Sequence, residues 1–145
     1  MKKLFIYYSM TGNGDLVAEN FKQKGYDIRK VINKTKYSKK MFPLMMKGGY
    51  RALFRKKDKV EFNNDISNYK EIVIGSPIWF DRLSPALNSI LSKLDLKDKN
   101  INFVLYSGSG EGNKAKEEIN KRYNTNIIIL KEPKKYKEEL SKIGE

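Results

Sequence analysis

The sequence predicts an α/β fold, a parallel sheet with helices on both faces. Three observations predict it. Short apolar segments of strand length alternate five times with segments of helical period along the chain. The strand segments are unbroken apolar runs, not alternating ones, as expected where both faces of a sheet are covered. And 145 residues, 39% hydrophobic and 12% aromatic, suffice for one domain, residues 1–145, with a real core.

Taken in order, residues 4–8 (LFIYY) form the first buried strand. Residues 15–24 carry Leu16, Val17, Asn20, Phe21 and Lys24 at helical spacing, and Gly25 is placed to end that helix. Residues 27–33, with Ile28, Val31 and Ile32, make a weaker second strand. Residues 44–56 read as a helix whose Met46, Tyr50, Leu53 and Phe54 fall on one face, expected to cover the sheet as core, with Lys47, Arg51 and Arg55 in a stripe beside it. Lys39, Lys40, Lys56, Lys57 and Lys59 flank it, against Asp58 alone. Residues 72–75 form the third strand. Residues 84–94 open on Ser84-Pro85, a hydroxyl cap followed by proline in the first turn. Strand 101–106, helix 112–123, strand 126–130 and a closing helix over 134–143, with Tyr136, Leu140 and Ile143 on one face, complete the pattern.

Three polar loops, two of them glycine-bearing, follow strands and so gather at the carboxyl edge of the sheet, where ligands of such folds bind. They are SMTGNG after the first strand, SPIWFDRLSP after the third and SGSGEGN after the fourth. The first runs straight into a helix, whose free N–H groups and positive dipole end suit a phosphate. Ser9, Thr11 and Asn13 add polar side chains, and Gly12 and Gly14 let the backbone curl close. There is no GxxxxGK[ST] and no GxGxxG, so this is neither a nucleoside-triphosphate loop nor a dinucleotide fingerprint. Trp79 and Phe80 stand where a planar ligand could stack on an aromatic ring. Asp81, Arg82 and Glu111 read as solvated or paired loop charges, not as catalytic acids.

Ser9-x-Thr11-Gly12-Asn13 after a tyrosine-rich strand resembles the phosphate loop of flavodoxins. Gly75-Ser76-Pro77-Ile78-Trp79-Phe80 with Pro85 downstream resembles their second, flavin-flanking loop, and Ser107-Gly108-Ser109-Gly110 their third. The resemblance runs in order over nearly the whole chain and is to the short flavodoxin type. It implies a doubly wound five-stranded parallel sheet of order 2-1-3-4-5, FMN as cofactor and electron transfer as function. It implies that Ser9, Met10, Thr11, Gly12, Asn13 and Gly14 hold the phosphate. It further implies that Ser76, Pro77, Ile78, Trp79 and Phe80 flank the isoalloxazine, and that Ser107, Gly108, Ser109 and Gly110 close over its pyrimidine edge. Many family members have Thr where Gly14 stands, so Gly14→Thr is expected to tighten FMN modestly unless the position needs positive φ.

Composition narrows the chemistry. There is no Cys and no His, which removes thiolate nucleophiles, histidine-based triads and most zinc sites. Redox chemistry would therefore be carried by a bound organic cofactor. The absence of Cys fits a reducing, cytoplasmic setting, and LFIYY is too short for a signal sequence or a membrane span. The net charge of +13 departs from acidic electron-carrier flavodoxins and points to a redox partner with an acidic docking surface. Interleaved aromatics of a nucleic-acid groove are not evident, so no nucleic acid is expected. Two rival readings remain: an FMN-dependent NAD(P)H:quinone or disulfide oxidoreductase of the same fold, and a basic binding module that has lost FMN.

Overall fold

The computed structural model describes residues 2–38 and 40–144; Lys39, one of the flanking lysines, lies outside them. Five parallel strands form the central sheet: β1 (Lys2–Tyr7), β2 (Asp27–Lys30), β5 (Tyr69–Trp79), β7 (Asn100–Ser107) and β8 (Asn126–Lys131). They are ordered β2-β1-β5-β7-β8, which is the expected 2-1-3-4-5 order. The register pairs Ile6 with Ile74 and Ile74 with Phe103, so the apolar centres of the strands lie side by side.

The continuous apolar runs are explained by two cores, one on each face. On one face, Leu4, Ile6, Ile72, Ile74, Phe103 and Leu105 pack under α4 (Pro85–Lys93) and α5 (Asn113–Arg122) through Leu87, Ile90 and Ile119. On the other, Phe5, Val73, Val104, Tyr106 and Leu130 meet Val17, Ala18 and Phe21 of α1 (Asn13–Gln23). Successive strand residues point to opposite faces, so each strand needs apolar residues at every position. Ser84 caps α4 as expected, its hydroxyl accepting from the Leu87 amide at 3.1 Å.

The structure differs from the sequence expectation at four places. The second strand breaks after Lys30, and Ile32–Asn33 (β3) leaves to pair antiparallel with Val60–Glu61 (β4). The third strand runs on to Trp79 and folds back into β6 (Arg82–Leu83), pairing Trp79 with Arg82. Pro77 is tolerated inside β5 because its nitrogen, like the Gly75 carbonyl that accepts from Tyr8, faces the β1 side, where pairing has ended opposite Gly75, while Tyr106 of β7 pairs with it on the other side. The closing segment Lys137–Ile143 is a 3-10 helix, not an α-helix.

The fourth difference is the helix after β3. It starts at α2 (Met41–Leu44), winds through a π-helical turn, Met45–Gly49, and ends in α3 (Tyr50–Leu53). Its orientation is the reverse of that expected. Gly48, Gly49 and Ala52 face inward, while Met46, Tyr50, Leu53 and Phe54 face solvent. The two glycines explain this. A methyl at Gly48 would sit 3.2 Å from the Trp79 ring and one at Gly49 2.5 Å from Phe80. The helix therefore lies on the β5–β6 hairpin, an approach that only glycine permits.

Candidate functional site

The first loop is built on its own serine. The Ser9 hydroxyl accepts from the amides of Gly12 and Gly14, at 3.2 and 2.9 Å, which curls the loop into the start of α1. Gly12 takes the N-cap position at φ +96°, with no side chain capping the helix. Among the described residues no acceptor meets the amides of Thr11 or Asn13. Those N–H groups, at a helix N-terminus, remain available to an anion. Met10 packs partly into the core and positions the loop, with no donor of its own from the side chain.

A residue that sequence reasoning missed completes this loop. Lys134, from the segment after β8, donates its backbone N–H to Asn13 Oδ1 at 2.9 Å and its ammonium to the Thr11 carbonyl at 3.2 Å. Its Nζ lies 3.5 Å from where a Gly12 Cβ would stand. The contact spans 121 residues of sequence, so no local pattern announces it.

Gly14 is not short of a hydroxyl; it is short of space. Its φ lies outside the left-handed region. A methyl there would overlap the Tyr106 hydroxyl and come within 2.7 Å of Ser9 Cβ and 2.8 Å of Tyr7 Cδ2. The expected benefit of Gly14→Thr is therefore corrected: the place of a threonine side chain is filled. Tyr106 is buried, and its hydroxyl donates to the Tyr8 carbonyl. Burial raises the Tyr106 pKa well above that of a free phenol. Tyr7 is raised as well, by burial and by its 2.6 Å hydrogen bond to Asp15. Burial also pushes Asp15 upward, but the hydrogen bonds from Tyr7 and Lys30 outweigh it and hold the carboxyl below its usual value.

The second and third loops share one cleft, of about 360 Å³, between Ile78, Phe80 and Asp81 on one side and Ser107–Ser109 and Gly112 on the other. Phe80 and Asp81 form the hairpin tip, at φ +53° and +57°. Both values belong to the left-handed region that favours glycine, so the turn stores strain of roughly 1–2 kcal/mol per residue. Phe80 is exposed beside the cleft, with its ring against Gly49. Asp81 accepts the Lys114 amide at 3.1 Å, which ties the hairpin to the N-terminus of α5. In the third loop Ser107 Oγ accepts from the Gly110 amide at 2.9 Å and donates to the Glu111 carbonyl at 3.0 Å. Gly108 has open space around it, which leaves its backbone approachable.

The predicted site residues Ser76 and Trp79 do not line this cleft. Ser76 is fully buried, its hydroxyl 2.7 Å from that of Ser84, and it ties β5 to the cap of α4. Trp79 is half-buried between Tyr8 and Tyr37, edge-on to both at 6.4 and 5.0 Å, with Gly48 against its ring. Pro77 and Ile78 precede the hairpin tip, with Ile78 forming part of the cleft wall. Beyond Tyr37 lies a buried polar knot. Asp58 accepts from Tyr37 at 2.7 Å, from Asn33 at 2.8 Å and from Arg51, whose Nη2 is 3.1 Å away. No group of acidic residues among the described residues could hold a metal ion.

The residues present fit a phosphorylated planar cofactor. The first loop offers unpartnered amides and a lysine, whose ammonium lies beside Gly12 at a positive φ that glycine favours. The cleft of the other two loops offers one aromatic wall and an open backbone edge. No protein-family model and no curated protein matches the chain in sequence. Its structure is similar to solved ones. A protein of Bacteroides eggerthii, provisionally assigned as a flavoprotein, superposes with a TM-score of 0.76 at 20% identity, over 92% of each chain. A flavoprotein of Lactobacillus acidophilus, solved in complex with FMN, gives 0.71 at 19% identity, over 94% of this chain and 97% of that one. Oxidised Flavodoxin 2 of Bacillus cereus gives 0.51 at 17% identity, over 98% and 92%. The fold is flavodoxin-like.

Proposed function

We propose that this protein binds FMN and transfers electrons to and from a partner. One observation carries the reading: an anion-ready loop and a cleft of about 360 Å³ follow the neighbouring strands β1, β5 and β7 at the carboxyl edge of one sheet, and the first is completed by Lys134. When bound, the flavin supplies reversible electron transfer, which a chain without Cys and His does not otherwise offer. The amides of Thr11 and Asn13 and the Lys134 ammonium hold the phosphate, while Ser9 keeps the loop in shape from beneath. Phe80 faces the ring, and the Ser107–Gly110 backbone closes over its polar edge. Trp79 supports the hairpin from behind through Tyr8, Tyr37 and Gly48. The FMN bound by the Lactobacillus acidophilus flavoprotein supports the same choice of cofactor.

Two carboxylates line the cleft, Asp81 and Glu111. Asp81 is committed to the α5 amide. The exposed cationic surface suits a partner that presents acidic groups around its own redox centre.

The test is spectroscopic. The protein is titrated with FMN and with riboflavin, and binding is followed by flavin absorption and fluorescence. FMN binds and riboflavin binds markedly less well, because only FMN reaches the first loop. Equal affinities, or none for either, overturn the assignment. Steady-state NAD(P)H oxidation with a quinone acceptor separates a carrier, which gives none, from a reductase.

A further inference from the structure

Six large apolar side chains lie outward on one helix. Phe42, Met45, Met46, Tyr50, Leu53 and Phe54 are between 45% and 72% exposed, and they recur at the three- and four-residue spacing of a single helical face. The exposed Tyr50 and Phe54 rings lie tilted against each other, with centroids 4.8 Å apart. This exposure follows from the chain's construction. The inward face is made of Gly48, Gly49 and Ala52, which bring the backbone against Trp79 and Phe80, so the bulk has nowhere else to go.

Cations surround the face. The stretch between Asp27 and Asp58 contains no acidic residue. Arg51 and Arg55 anchor the helix through Asp58 and Glu118, and the Lys47 ammonium is held by the Lys36 carbonyl. Lys40, Lys56, Lys57 and Lys59 are exposed and make no ion pair among the described residues.

We propose that this helix is a docking surface for an anionic lipid bilayer, lying in the plane of the membrane interface. An apolar stripe with a cationic collar is the physical signature of a helix that inserts its side chains below negatively charged headgroups. Three features favour lipid over other occupants. A protein–protein interface carries about one hydrogen bond per 100–200 Å²; of the six side chains only Tyr50 could make one, whereas lipid tails require none. A single helix is a convex ridge, which a fluid surface accommodates without a matching groove. A second copy would bring two surfaces of a +13 protein together. Phe80, against Gly49 beneath the helix and itself exposed, stands at the rim of the cleft, so docking through the helix would hold the cleft near the bilayer.

Because no part of the surface requires a bound flavin, the test is independent of the cofactor. The purified full chain is sedimented with phosphatidylcholine vesicles and with vesicles containing phosphatidylglycerol, at low and high salt. It binds the anionic vesicles and not the neutral ones. Phe42→Ser, at an exposed position, lowers that affinity about tenfold or more with an unchanged melting temperature. Lys56→Gln with Lys57→Gln lowers it by about tenfold or more as well, while Lys97→Gln, at the other end of the sheet, has little effect. Three outcomes overturn the proposal: no binding to anionic vesicles at low salt; binding that falls with salt but ignores Phe42→Ser, which is charge adsorption alone; or loss of vesicle binding to a stable dimer or an acidic protein complex that buries Phe42 and Phe54.

Discussion

Gly14 gives the sharpest test of the first loop, because two effects of known sign oppose each other there. In the first turn of α1, with φ outside the left-handed region, an alanine lowers the conformational entropy of the unfolded chain and should stabilise by about 0.5–1 kcal/mol. Sterics act the other way. The new methyl would overlap the Tyr106 hydroxyl and lie 2.7 Å from Ser9 Cβ and 2.8 Å from Tyr7 Cδ2, where ordinary contacts begin near 3.4 Å. Tyr106 and Tyr7 are both buried, so neither ring can swing into solvent. Overpacking of this kind costs about 1–3 kcal/mol. If Tyr106 moves, its hydrogen bond to the Tyr8 carbonyl is weakened, adding about 1 kcal/mol. The unfavourable terms win, and Gly14→Ala is expected to destabilise by about 1–3 kcal/mol in urea unfolding. Gly14→Thr is worse, and it weakens FMN by displacing Ser9 from the Gly12 amide. The reasoning also requires coupling: Tyr106→Phe clears part of the space, so the double variant should recover about 0.5 kcal/mol or more relative to additivity. A Gly14→Ala protein as stable as the parent, or a strictly additive double variant, refutes it.

Four further outcomes are expected. Lys134→Gln lowers FMN affinity by less than tenfold, in keeping with about 0.2–1 kcal/mol for an exposed charge pair, and leaves riboflavin binding unchanged in the same titration. Phe80→Gly relieves the strained hairpin, raising the urea midpoint by about 1 kcal/mol of stability, while FMN binding weakens by about 0.5–1.5 kcal/mol through loss of the ring. The pKa values of Tyr7, Tyr8, Tyr37, Tyr69 and Tyr106 are raised and that of Tyr26 is pushed up to about 12, so their stabilisation is complete below the ordinary phenol value of about 10 and is lost as pH rises beyond it. Alkaline absorption titration should show these phenols ionising late and together with unfolding, whereas Asp15, held low, contributes above its ordinary value near 3.8 and is lost on acidification. The net charge of +13 favours the reduced, more negative cofactor by on the order of 1 kcal/mol per charge at roughly 15 Å and an effective dielectric of about 20, so potentiometric titration should give a midpoint that falls as salt is raised, and a salt-independent midpoint refutes the coupling.

Periodicity and order of segments were enough to read the five strands and the convergence of three loops at one edge, because those follow from local apolar pattern and the handedness of crossovers, while the 2-1-3-4-5 arrangement was implied by the resemblance to flavodoxins and is the order the fold adopts. The sequence by itself also excluded thiolate and imidazole chemistry. It could show that Met46, Tyr50, Leu53 and Phe54 share a face but not which way that face points. A helical period is the same whether its apolar side meets the core or the solvent, and here the fit of Gly48 and Gly49 onto Trp79 and Phe80 decided it. The Phe80–Asp81 turn lacks the glycine or asparagine that marks a hairpin, since pairing of Trp79 with Arg82 enforces a conformation its residues do not prefer. Lys134 reaches Asn13 across 121 residues, and Tyr106 fills the space beside Gly14 across the sheet. Contacts of that length depend on how strands stack, and only the folded chain brings their side chains to the same few ångströms.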